Sequence, residues 1–166
     1  APTCVSNPQN IWVSSGSGYV SRVSPGTSGP NTLNGFSTTH FSIGHDAYGL
    51  AVTSGNDVVV SSQGTDNYLT YLSQTGGYAA SWTTAAGFAG INTPTGISLD
   101  GRGNIWVPNN TNVSGLGSVS EVSAAGNALS PATTGFAKST SFLSAGRASA
   151  VDQVGNVWVV GDGANS

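Results

Sequence analysis

The sequence predicts an all-β chain built of propeller blades, four short antiparallel strands to a blade, with the ring incomplete. Three observations carry this. Four segments align without gaps, SNPQNIWV from Ser6, TSGNDVVV from Thr53, DGRGNIWV from Asp100 and DQVGNVWV from Asp152, and their anchors Asn10, Asp57, Asn104 and Asn156 lie 47, 47 and 52 residues apart. A fixed period of that length marks a repeat architecture. Apolar residues alternate or run in short β-branched stretches with helical spacing nowhere, and apolarity falls from the first strand of a unit to its last, as in a blade whose outer strand is wet.

The first strand of a unit is read in GLAV (Gly49 to Val52), GISLD (Gly96 to Asp100) and ASAVD (Ala148 to Asp152). A link of four to five polar residues follows, the wording of a tight hairpin, with Asp100 and Asp152 placed to accept hydrogen bonds from turn amides. The second strand is IWV, VVV, IWV or VWV, apolar on consecutive residues and so expected to be covered on both faces. The third, at Tyr19 to Ser24, Tyr68 to Ser73 and Ser118 to Ser123, puts Arg22, Tyr71 and Glu121 at one position and is expected to be half exposed. A Gly-Phe pair at Gly35-Phe36, Gly87-Phe88 and Gly135-Phe136 is read as opening or flanking a weak fourth strand. The units are then 1–48, 49–95, 96–147 and a partial 148–166, one repeat domain. Three and a half blades leave strand edges and an apolar face open, the geometry of a segment of a longer chain or of one that partner chains complete.

Composition excludes several functions. Charged residues are 7% of the chain, against roughly 25% in soluble domains, and the net charge is -3. Arg22, Arg102, Arg147 and Lys138 are too few and too scattered to neutralise a phosphate backbone, so no nucleic-acid partner is expected. No apolar run approaches the roughly 20 residues of a membrane span. Low charge and abundant Ser and Thr point to an extracellular or cell-surface, secreted protein. The lone Cys4 is read as a small apolar residue near the first strand, or as an intermolecular bridge.

The phrases GISLDGRGNIWVPNN, GSVSEVSAAGNALSPATTGF and ASAVDQVGNVWVVGD resemble the bacterial NHL and virginiamycin B lyase-like β-propeller repeats, whose blades read roughly G-I-A-[IV]-D-x-x-G-N-[IV]-W-V followed by a strand of S-V-[ST]-E type. The likeness runs along essentially the whole chain and is weakest in the second unit, where Val59 replaces the tryptophan and Thr53 the aspartate. It implies a propeller. Lyases of that group are understood to use histidine, glutamate and magnesium, but the two histidines here lie in the first unit and Glu121 occupies a repeated strand position, so no residue transfers by motif.

Asn10, Trp12, Asp57, Asp100, Asn104, Trp106, Asp152, Asn156 and Trp158 are accordingly read as structural repeat residues. Ligand-binding candidates are sought at the opposite end of the blades, in the stretch STTHFSIGHDAYG with His40, His45, Asp46 and Tyr48, and at Arg147. His45 with Asp46 would make a general base and its carboxylate, or two metal ligands. No catalytic residue, metal site or cofactor is expected. Asn109 and Asn112, each in an N-x-Ser/Thr pattern on an expected loop, are glycosylation candidates. The functional reading is a non-enzymatic binding or structural scaffold that associates with protein, itself or carbohydrate. The alternatives are a self-assembling filament or surface-layer component, and a propeller enzyme.

Overall fold

The computed structural model describes residues 10–25, 36–63, 67–82, 88–111, 117–136 and 143–162. It is all-β, and the described residues form twelve strands in four antiparallel sheets. The first sheet holds β1 (Ile11–Ser15), β2 (Tyr19–Pro25) and β3 (Phe36–Ser42). The second is a complete four-stranded blade of β4 (Ala47–Val52), β5 (Val58–Ser62), β6 (Tyr68–Leu72) and β7 (Tyr78–Trp82), in chain order. The third holds β8 (Ser98–Leu99), β9 (Ile105–Asn109) and β10 (Ser118–Val122), and the fourth β11 (Gly146–Val151) and β12 (Val157–Gly161). Inner strands adjoin in chain order, β1 beside β4, β4 beside β8 and β8 beside β11, and the ring is not closed.

Five hairpins share one local design. At Thr53, Ser73, Asp100, Ser123 and Asp152 the N–H of the opening residue donates to the carbonyl four residues on, and the N–H three residues on donates back. The opening side-chain oxygen also accepts the N–H of the fifth residue, at 2.8 to 3.2 Å. Ser, Thr and Asp suit that position because a short oxygen-bearing side chain can mimic a turn carbonyl. The fourth residue is left-handed in all five, at Asn56, Gly76, Gly103, Gly126 and Gly155. A turn followed by a left-handed residue is the bulged three-residue hairpin. Two of the five, after Leu72 and after Val122, lead out of third strands and are written S-x-x-G, a turn signal that Asp-centred wording does not capture.

Two apolar cores lie between the sheets. Trp12, Val20 and Ile43 of the first side pack on Ala47, Val58, Val60 and Leu72 of the second. Val59 and Leu69 pack on Ile105, Val107 and Val122, roofed by the 3-10 turn Phe88–Gly90. The third strands are more buried than expected: Val20, Leu69, Leu72 and Val122 are fully covered, and the position of Arg22, Tyr71 and Glu121 remains half-buried. The Gly-Phe pairs also differ from expectation. Phe36 does open β3, whereas Phe88 enters the 3-10 turn that follows β7, and Gly87 lies outside the described residues. Among the described residues, the bridges Val119↔Phe136 and Val122↔Ala128 stand on the outer side of the third sheet, and Phe136 stacks 6.0 Å from Trp106.

Candidate functional site

The hairpins Thr53–Asp57, Asp100–Asn104 and Asp152–Asn156 stand side by side at one end of the sheets, and two clefts lie between them. One, of about 490 Å3, runs between the second and third sheets past Thr53, Val59, Tyr71, Arg102 and Ala124. The other, of about 740 Å3, runs between the third and fourth past Arg102, Asn104, Trp106, Glu121, Asp152 and Val154. Arg102 borders both.

Local turn chemistry builds the second cleft. Asp100 Oδ1 accepts the backbone N–H groups of Arg102 (2.8 Å) and Asn104 (2.9 Å), while Oδ2 accepts Asn104 Nδ2 (3.0 Å) and Trp106 Nε1 (3.4 Å). Asp152 repeats the pattern with Val154, Asn156 and Trp158, at 2.8 to 3.1 Å. The D-x-x-G-N-x-W phrase thus encodes a carboxylate that holds its own hairpin and fixes the indole of the next strand. Burial works against the Asp100 charge, but these donors outweigh it and hold its pKa below the ordinary value. Hydrogen bonds from the Asn156 and Trp158 side chains hold Asp152 lower still, at about 2.

Glu121 is the other acid of the cleft. Strand pairing sets it opposite Trp106, and Asn104 Nδ2 donates to its Oε1 at 3.1 Å while donating to Asp100, so one amide bridges two carboxylates. Burial first, and the Asp100 charge second, push the Glu121 pKa up. The pair is therefore split, one acid held ionised and its neighbour inclined to keep a proton, the arrangement from which acid-base roles are made. Sequence reasoning missed it because Glu121 meets Asp100 only through the register of two strands. The second sheet differs: Thr53 carries the turn, and Asp57 instead accepts Tyr71 OH (3.0 Å) and the Gln74 N–H (2.9 Å).

The candidates expected at the other end are distributed rather than gathered. His40 is exposed on β3, its Nδ1 2.7 Å from Ser21 Oγ, and with Ser15, Ser17 and Tyr19 it borders a shallow groove of about 400 Å3. The His45 ring lies against Tyr68, centroids 4.0 Å apart and planes tilted by 36°, and the Asp46 carbonyl accepts the Gln63 N–H at 3.2 Å. Tyr48 is exposed, and its carbonyl accepts Ser14 Oγ at 2.9 Å. Arg147 lies in the fourth sheet, where its guanidinium binds Asp162 Oδ2 at 2.5 and 2.7 Å. The stretch STTHFSIGHDAYG runs from β3 through a bend into β4, because Phe36–Ser42 pairs along β2. Among the described residues, no three or more of His, Cys, Asp and Glu are grouped to hold a metal ion.

Asn109, expected on a loop as a glycan acceptor, ends β9 fully buried. Its Nδ2 donates to Ser118 Oγ (3.0 Å) and Ser120 Oγ (2.9 Å), and its Oδ1 accepts the Asn92 N–H (3.0 Å). Such an amide is a packing element with no room for a glycan. Asn112, Cys4 and Lys138 lie outside the described residues.

The fold and these hairpin-lined clefts define an incomplete β-propeller. By sequence, the chain matches no protein-family profile and no curated protein. By structure it is similar to a streptogramin B lyase, with a TM-score of 0.56 and 16% identity, covering 94% of this chain and 49% of that one. Further similarity is found to a protein of unknown function from Bacteroides caccae (TM-score 0.46, 14% identity, 89% of this chain, 51% of that one) and to a putative gluconolactonase (0.48, 16%, 89%, 53%). The chain spans about half the length of each.

Proposed function

We propose that the chain is a non-enzymatic scaffold of the propeller type, working outside the cell or at its surface, whose hairpin-end clefts bind a hydroxyl-rich ligand such as a carbohydrate and whose sheets assemble with protein. The observation that supports it most is the state of the repeated aspartates. Asp100 and Asp152 each accept four hydrogen bonds from their own hairpins, so the acids repeated at this end shape the wall of a cleft. The NHL-like wording of the repeats and a low-charge, Ser- and Thr-rich surface accord with a secreted scaffold. In the larger cleft the Trp106 indole stands beside Arg102 and Glu121, an apolar plate flanked by polar groups, as ligand pockets are commonly built.

A second reading has one observation in its favour: Glu121, with its raised pKa beside ionised Asp100, is equipped to donate a proton in an enzyme of the lyase kind. One experiment separates the two. The chain and its Glu121→Gln variant are incubated with a streptogramin B antibiotic and, separately, titrated with soluble polysaccharides while tryptophan fluorescence is followed. We expect no turnover, and saturable polysaccharide binding that Arg102→Ala weakens several-fold. Turnover that Glu121→Gln abolishes would replace the scaffold by the enzyme.

A further inference from the structure

The two hairpin-end clefts hold equivalent places between successive sheets, yet the repeat lines them differently. In the larger one Trp106 and Glu121 stand opposite each other across β9 and β10. The same two positions of the second sheet are Val59 and Tyr71, opposite each other across β5 and β6, and both line the smaller cleft. The second unit therefore has an aliphatic side chain where the other three have an indole, and a phenol where the third has a carboxylate. The Tyr71 OH is itself turned onto Asp57, at 3.0 Å.

Charge separates the clefts further. Asp100, Glu121 and Asp152 line the larger one, with Arg102 as its cation. Among the described residues, Asp100 and Arg102 are the charged members of the smaller one, and the Asp100 oxygens are already occupied by four donors of their own hairpin and strand. The apolar surface accessible there comes from Val52, 44% exposed, and half-buried Leu99. Arg102 is uncommitted. Arg22 donates to the Gln74 carbonyl and Arg147 to Asp162, whereas among the described residues the exposed Arg102 guanidinium makes no hydrogen bond or ion pair. Burial and the Asp100 charge raise the Glu121 pKa, and Arg102 counters them more weakly.

An anion that approaches Arg102 through the larger cleft meets Glu121 and Asp152, and like charges repel it. Through the smaller cleft it meets valine and leucine. We infer that the smaller cleft is the subsite for a carboxylate-bearing sugar, a hexuronate unit of an acidic polysaccharide, with its carboxylate on Arg102 and its C–H face on Val52 and Leu99. The inference rests on the scaffold reading and names the ligand class for one of its clefts. Arginine suits the task because its planar fork takes both oxygens of a carboxylate. The volume, about 490 Å3, is that of an ordinary ligand pocket, and sheets of this chain bound it on both sides.

The test is calorimetric titration of the chain with the trimer of galacturonate and, separately, with its methyl ester, which keeps the rings and hydroxyls and loses the charge. The acid is expected to bind about tenfold or more tighter than the ester, and Arg102→Ala to erase that preference. Ser54→Glu places a charge at an exposed hairpin position on the smaller cleft, and Val154→Glu does so on the larger. With both variants shown to be folded by circular dichroism, Ser54→Glu is expected to weaken the acid severalfold more than Val154→Glu. Equal affinity for acid and ester overturns the inference, as does binding of neither. A Val154→Glu loss larger than the Ser54→Glu loss overturns it too, since the carboxylate would then sit in the larger cleft. The scaffold reading fails on other results: trimer cleavage that Glu121→Gln abolishes sinks the scaffold and leaves the subsite, whereas neutral polysaccharides that bind while the acid has no advantage sink the subsite alone.

Discussion

Among single residues, the acids of the hairpin end govern how the chain responds to pH. Asp152, held at about 2, and Asp100, also lowered, are depressed carboxylates. Their contribution to stability is complete above the ordinary value of 3.8 and is lost as pH falls through the lowered pKa, about 2 for Asp152. Glu121 has the opposite sign. Its folded pKa is raised, so its ionisation carries a penalty that is absent in acid and develops as pH rises past its ordinary 4.5. Glu121→Gln, which keeps an oxygen to accept Asn104 Nδ2, is therefore expected to melt higher than the parent at pH 7 and no higher at pH 3. Thermal melts at the two pH values check this, and an equal offset at both would show that the Glu121 charge carries no penalty. The Asp roles were legible in the sequence because a turn acid and the amides it binds lie within four residues. Glu121 was not, since its neighbour comes from another strand 17 residues away.

At the level of elements, the hairpins were readable, and of the outer strands only β3, opened by Phe36, was. A left-handed residue three places after Ser, Thr or Asp is a local requirement, and it is written as Gly in four hairpins and as Asn56 in the fifth. Gly103, with φ of +82° and the Ala124 Cβ 3.4 Å from where its own would stand, has the room but not the torsion for an ordinary side chain. Gly103→Asn is thus expected to cost under about 1 kcal/mol, as Asn tolerates this region, and Gly103→Val about 2 kcal/mol. Chemical denaturation of both variants checks the order, and a valine as mild as the asparagine would refute the torsional account. The Gly-Phe pairs of the second and third sheets were misleading because their position depends on what the preceding connection packs against. Phe88 and Ala89 lie over the second core, and Phe136 is held against Trp106, so the Gly-Phe pairs obey aromatic packing rather than strand order.

Across the whole molecule, a buried hydroxyl chain joins three sheets. Ser61 Oγ of the second sheet donates to the Thr95 carbonyl, and Thr95 Oγ1 lies 3.0 Å from both the Pro108 carbonyl of the third and the Gly146 carbonyl of the fourth. Gly49 lies alongside: a Cβ there would stand 2.4 Å from the Thr95 carbonyl oxygen, so glycine is what lets β4 approach this close. The fourth sheet has only two described strands, and beyond its apolar face toward the third it is attached by Thr95, by the Gly96 N–H to the Arg147 carbonyl (3.1 Å) and by Ser98 to Ser149 (2.7 Å). Thr95→Val preserves shape and removes the hydroxyl, leaving the buried Gly146 carbonyl without that donor while the Pro108 carbonyl keeps the N–H of residue 95, at a cost of about 1 to 3 kcal/mol. Because that loss falls at the junction, it is expected to appear unevenly. Amides of β11 and β12 should exchange with solvent faster by tenfold or more, while those of β5 and β6 change little. Hydrogen exchange resolved by peptide measures the difference. Uniform acceleration would mean that the four sheets open as one cooperative body and that Thr95 is an ordinary core residue, whereas loss confined to the fourth sheet would identify it as the joint by which that sheet is held in line.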